Sequence, residues 1–178
     1  NKATGQLSYP GNNAEKEPVI EQYKTLSTLY HFYFDRLQRL WFIEWGNRSF
    51  PYIYCYDIKT NKPVVEKAEL ISSLKTYHEI RGFFQQQDGT VWVKGLLVFA
   101  KFNETEKKFQ PVYNGYQNER SIAYEAAHCL YEDRENNVWV TTDNNGLYRF
   151  NPSMEFFSNI GHINRMTGKK GEGGAMCF

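Results

Sequence analysis

CLYEDRENNVWVTTDNNGLYRFNP, residues Cys129 to Pro152, begins with an apolar stretch that Glu132 and Asp133 close. A turn at Asn136-Asn137 leads into a β-branched strand, Val138 to Thr141, which carries Trp139. A second turn spans Asp143 to Gly146, and an alternating strand, Leu147 to Phe150, is stopped by Asn151-Pro152. Strand, tight turn, strand, tight turn, strand in so short a span predicts an antiparallel meander.

Working outward, the same unit recurs twice. Around Trp92 the chain reads GFFQQQDGTVWVKGLLVFAKFN, and around Trp41 it reads HFYFDRLQRLWFIEWGNRSFPYIYCYD. The three tryptophans stand 51 and 47 residues apart. Asp35 and Asp133 each lie six residues before their tryptophan, where the middle copy has Gln86. Met176-Cys177-Phe178 matches His128-Cys129-Leu130 and reads as the start of a fourth copy.

A period of about 40–50 residues with four short strands is the signature of propeller blades. The expected fold is therefore all-β: a β-propeller segment of about three four-stranded antiparallel blades plus the first strand of a further blade. Blades are expected at about 29–66, 80–112 and 127–158, with a further strand at 175–178 and a non-repeat tail at 1–28. Inner strands fall at Leu29 to Phe34 and outer ones at Pro63 to Glu66, Phe109 to Val112 and Glu155 to Ser158. Flat blades stacked face to face explain an aromatic content of 17%. The tryptophans are expected on second strands, buried between blades. The tail predicts one short strand at Gln6 to Tyr9 and a helical turn within Val19 to Thr28. Connections between second and third strands are expected at Gly46 to Pro51, at Lys94-Gly95 and at Asp143 to Asn145.

Charge excludes some partners. Twenty-one basic and 20 acidic residues leave a net charge of +1, so neither nucleic acid nor an anionic membrane surface is called for. The longest apolar run, Val91 to Phe102, is broken by Lys94 and Lys101, short of the ~20 residues of a membrane helix. The chain starts at Asn1 without a signal peptide and reads as a processed or excised piece. Cys55, Cys129 and Cys177 are odd in number and lack C-x-x-C spacing, which argues against a disulfide scaffold and against zinc. Cys129 and Cys177 share one repeat position and read as small buried side chains.

These repeats resemble the two-component regulator propeller repeat. The third copy carries the resemblance at Asp133, Asn136-Asn137, Val138-Trp139-Val140, Thr142, Gly146-Leu147, Phe150 and Asn151-Pro152. The middle copy keeps Asp88-Gly89, Val91-Trp92-Val93, Gly95 and Phe102-Asn103. The first is degenerate after Trp41, keeping Asp35, Trp45-Gly46 and Tyr56-Asp57. The resemblance implies the periplasmic sensor portion of a hybrid histidine kinase of the Bacteroidetes type. In that family, propellers bind or respond to glycan fragments, and phosphoryl transfer belongs to parts that this sequence does not show.

No catalytic motif stands out. The Asp-box of sialidase propellers needs Asp five residues before Trp, and those positions hold Arg36, Gln87 and Arg134. Glycosidases need two positioned carboxylates; Glu44, Glu79, Glu125 and Glu132 form no fixed pair and read as strand-edge or loop charges. His31, His78, His128 and His162 share no metal-ligand spacing, and no cofactor fingerprint is present. The expectation is a non-enzymatic, glycan-responsive binding module; the alternatives are a propeller enzyme acting on polysaccharide and a secretion-associated structural propeller. Loops on a rigid scaffold carry recognition. The candidate ligand residues are thus Trp45, Arg48, Tyr116, Arg120 and Arg165, aromatics that stack on sugar rings and guanidinium forks. An open arc of blades would expose Tyr33, Trp41, Trp139 and Phe150 and self-associate.

Overall fold

The computed structural model describes residues 3–45, 51–70, 77–115, 122–143 and 145–151, and the backbone of 156–160. The expected strand at 175–178 lies outside the described residues. The chain forms two compact units, residues 1–69 and 70–178.

The first unit opens with α1 (Pro18–Tyr23), continues through β1 (Leu29–Phe34), β2 (Arg39–Glu44) and β3 (Tyr52–Asp57), and ends with β4 (Lys62–Glu69). The strands pair antiparallel in chain order. Trp41 lies opposite Cys55 and Phe42 opposite Tyr54, so the two central strands present aromatic side chains on both faces. Both faces are covered: Trp41, Phe42, Ile43 and Ile53 to Tyr56 are buried. On one face α1 supplies the cover, with the Tyr23 ring meeting Phe42 edge-on at 4.9 Å and Tyr54 at 5.6 Å. Asn13 ties down the start of α1 by accepting from the Glu17 amide and donating to its carbonyl. The strand expected at Gln6 to Tyr9 does not form; Tyr9 makes a single bridge to Asn12, with Gly11 turning the chain at φ 94°.

The second unit holds two blades. The first comprises β5 (Glu79–Gln85), β6 (Val91–Leu96), β7 (Val98–Asn103) and β8 (Lys108–Pro111). The other comprises β9 (Ala127–Glu132), β10 (Val138–Thr142), β11 (Leu147–Asn151) and β12 (Phe156–Ile160). Each is a four-stranded meander in chain order. Their facing sides share one core: Trp92 and Phe99 from one blade pack with Val138, Val140, Tyr148 and Phe150 from the other. Trp92 stacks on Phe99 at 4.9 Å and meets Phe150 edge-on at 5.9 Å. This is β-propeller packing, in which a flat sheet has to bury both faces against its neighbours.

One hairpin geometry recurs in all three blades, and it explains the spacing of six residues. The Trp41 indole N–H donates to Asp35 Oδ2 at 2.8 Å, that of Trp92 to Gln86 Oε1 at 2.5 Å, and that of Trp139 to Asp133 Oδ2 at 2.7 Å. Gln86 therefore replaces aspartate as the acceptor. The same carboxylates cap the turn: Asp35 Oδ1 accepts from the Leu37 and Arg39 amides, and Asp133 Oδ1 from those of Glu135 and Asn137. Gln38, Gly89 and Asn136 occupy the left-handed position of each turn, at φ 64°, 96° and 61°.

Several expectations need correction. The connection between second and third strands in the middle copy is not Lys94-Gly95, which lie inside β6, but the turn at Leu97, φ 53°. That strand position takes glycine because a Cβ there would stand 1.9 Å from the Glu79 carbonyl oxygen. Trp139 is only half-buried, unlike Trp41 and Trp92. Of the aromatics expected to face water, Trp41 and Phe150 are buried, and Tyr33 and Trp139 half-buried. Cys129 is half-buried and disulfide-bonded, not a free thiol, whereas Cys55 is free and buried.

Candidate functional site

The first strand of every blade is interrupted within one short region, eight to twelve positions before its tryptophan. Register against the second strand slips between Tyr30 and Tyr33, between Ile80 and Gly82, and between the partners of Val140 and Thr142. A β-bulge leaves its extra residue unpaired and re-aims the side chain, and such bulges gather beside functional sites. The residues in these interruptions include His31, Arg81 and His128. Arg81 and His128 both lie eleven positions before their tryptophan.

In the second unit these bulges bring polar groups together where the strand ends of the two blades meet. The Leu97 amide donates to the Glu125 carbonyl at 2.8 Å, and Leu96 bridges Ala126, which ties the end of β6 to the start of β9. Across this seam the Lys94 ammonium donates to the main-chain oxygen of His128. His128 Nε2 in turn meets Asp143 Oδ1, and the Asp143 amide donates to the Ala126 carbonyl at 3.2 Å. On β5, Arg81 Nε pairs with Glu79 at 3.1 Å, and the Tyr77 hydroxyl donates to Glu79 at 2.6 Å.

The electrostatics of the cluster are uneven. Burial, and after it the nearby Arg81 charge, lowers the pKa of Lys94. Glu79 is lowered in its turn, first by the Tyr77 hydroxyl, against burial, and then by Arg81. With Glu79 on Arg81 and Asp143 on His128, no carboxylate among the described residues pairs with Lys94.

Of the ligand candidates read from sequence, Trp45 is described: it follows β2, is half-buried, and its amide donates to the Thr28 carbonyl at 2.8 Å. Asp143 holds the matching place, four residues after its tryptophan, so Trp45 and the polar cluster sit at equivalent ends of their blades. Arg48, Tyr116, Arg120 and Arg165 lie outside the described residues. Trp41, Trp92, Trp139, Asp35 and Asp133 form the hairpin clasps, and Gly146 turns between β10 and β11 at φ 74°. Glu44 accepts from Tyr54 at 2.8 Å, Glu79 from Tyr77 and Arg81, and Glu132 from the Gln87 amide of the neighbouring blade. Glu125 is exposed. Among the described residues no three His, Cys, Asp or Glu side chains gather as metal ligands, and no helix is long and apolar enough to cross a membrane. Arg81, Lys94 and Asp143 were missed by the sequence reading, which ranked loop residues. Their signal was a column of repeat positions counted from each tryptophan.

Residues 121–144 match the two component regulator propeller family, overlapping the copy that carried the resemblance. No curated protein matches the chain. Among solved structures, the extracellular domain of the hybrid two component system BT4673 from B. thetaiotaomicron is similar. It is 15% identical with a TM-score of 0.51, over 75% of this chain and 17% of that one. The corresponding domain of BT3049 from the same organism is 16% identical with a TM-score of 0.54, over 83% of this chain and 18% of that one. At such identities the likeness is one of fold, and this chain spans less than a fifth of either relative.

Proposed function

We propose that this chain is a ligand-sensing part of the extracytoplasmic propeller of a two-component sensor, responsive to a glycan and without catalysis of its own. The observation that carries the reading is the regulator propeller repeat at residues 121–144. The disulfide at Cys129 supports an oxidising compartment such as the periplasm. Trp45, Arg48, Tyr116, Arg120 and Arg165 remain candidates for stacking on and bridging sugar hydroxyls.

Isothermal calorimetry of the parent protein against a panel of neutral and acidic oligosaccharides, run beside a reducing-sugar assay, tests the reading. Binding of at least one oligosaccharide without turnover is expected. Turnover would overturn the non-catalytic assignment, and silence across the whole panel would overturn glycan response. Replacing Trp45 and Arg48 together by Ala should abolish binding while leaving the melting temperature nearly unchanged; unaltered affinity would remove this face from consideration.

A further inference from the structure

We propose that Lys94 and Arg81, held at the seam between the two blades of the second unit, form a subsite for the anionic group of an acidic glycan, a uronate carboxylate or a sulfate ester. The proposal rests on the glycan-responsive reading above and names the ligand class.

Lys94 carries a charge that no carboxylate among the described residues meets. Lys94 is half-buried, and its ammonium is held by one acceptor, the His128 main-chain oxygen. An ammonium carries three donors, so two are left for a ligand. The neighbouring cation is Arg81, whose Nε is taken by Glu79 while its terminal N–H groups make no bond among the described residues. A guanidinium so placed keeps a planar fork suited to two oxygens of one anion. Lys94 is half-buried beside the exposed Arg81, so burial and then the Arg81 charge disfavour its ammonium, and an anion at Lys94 removes that cost. The cluster also fixes its own geometry. Asp143 occupies His128 Nε2, β6 is tied to the start of β9 by main-chain hydrogen bonds, and Arg81 lies in the β5 bulge, next to the Gly82 that pairs with Lys94. The absence of a side chain at Gly95 lets the β5 backbone come against β6 beside Lys94. Glu79 is taken by Arg81, so Lys94 is the cation of the cluster that no carboxylate among the described residues meets, which fits a single carboxylate or sulfate per sugar residue.

The test is calorimetry on the full chain with four probes: a glucuronate-containing oligosaccharide, a sulfated one, their neutral glucose counterpart, and inorganic sulfate. The expected result is that at least one acidic oligosaccharide binds more tightly than the neutral one. Lys94→Met should weaken that binding about tenfold or more, and Lys94→Arg should restore most of it. In the unsubstituted chain, NMR titration of the Lys94 Cε signal should show its pKa rising when the acidic oligosaccharide is added, a readout independent of whether the variants fold. Neutral and acidic oligosaccharides binding alike would overturn the subsite and leave glycan sensing standing. Inorganic sulfate binding as tightly as the sugars would overturn the glycan assignment of the anion. If no probe binds, both readings fall.

Discussion

At the scale of single residues, the molecule repeats one device, an acceptor six positions before a tryptophan that holds both the indole and the turn. The device is not equally stressed in each blade. Asp35 is buried and also receives the Arg39 Nε at 2.6 Å, so removing it takes a carboxylate from a buried guanidinium and from an indole N–H together. Asp35→Ala should therefore cost about 3 kcal/mol or more in urea unfolding, and a loss below about 1 kcal/mol would refute the clasp. Asp133 sits at a partly open turn. Burial opposes its charge, yet hydrogen bonds from Trp139, Asn137 and the Glu135 amide outweigh that and hold its pKa at about 2. An unfolded aspartate titrates near 4. Its folded value is depressed, so its contribution is complete above about pH 4 and is lost as pH falls toward about 2. Asp133→Asn retains an amide acceptor for the indole, as Gln86 supplies in the middle blade. Its melting temperature should fall less between those pH values than that of the unsubstituted chain; identical slopes would show that Asp133 is not the titrating group.

At the scale of elements, most of the fold was legible because each strand is short, apolar and bounded by turn residues, and because the tryptophans set the period. The limits of β1 follow from its aromatic run, and the hairpins from Asp88-Gly89 and Asn136-Asn137. What could not be read was a contact between strands. Gly95 looks like a turn residue beside Lys94, yet it is the strand position where the β5 backbone comes closest. The bulges at His31, Arg81 and His128 were equally hidden, since a bulge is a property of two paired strands and not of one. The charged cluster depends on those bulges, so only Trp45, at the matching blade end, was named in advance. Two substitutions separate close approach from turn strain. Gly95→Ala should destabilise by about 2 kcal/mol or more, because its Cβ meets backbone that cannot swing aside. Gln38→Gly should stabilise by about 0.5–1 kcal/mol, because φ 64° is costly for glutamine and free for glycine. Chemical denaturation of both variants checks the pair, and a neutral Gly95→Ala would mean that β5 and β6 lie further apart.

At the scale of the whole molecule, the open question is what covers the aromatic side chains left in water. The first strand of the first unit carries Tyr30, Phe32 and Phe34 at 50%, 60% and 56% exposure, with Leu37 at 56% in the following turn. Phe32 also stacks over Phe42 at 5.9 Å, so the patch is continuous with the core beneath α1. Soluble monomers seldom carry a contiguous apolar patch of this kind without a partner. Among the described residues β1 is the edge strand of its sheet, next to β2, and edge strands are templates for pairing with another chain. Closed propellers protect such edges by radial repetition, and the solved relatives are several times longer than this chain. In isolation the 178-residue chain is therefore expected to self-associate through this strand. Light scattering should report a mass above 21.0 kDa that grows with concentration. Tyr30→Ser with Phe34→Ser, which leaves the Phe32 stack on Phe42 in place, should return the chain toward a monomer. A cooperatively melting monomer before any substitution would show that the patch is covered within the chain itself. An oligomer untouched by the double substitution would move the interface away from β1.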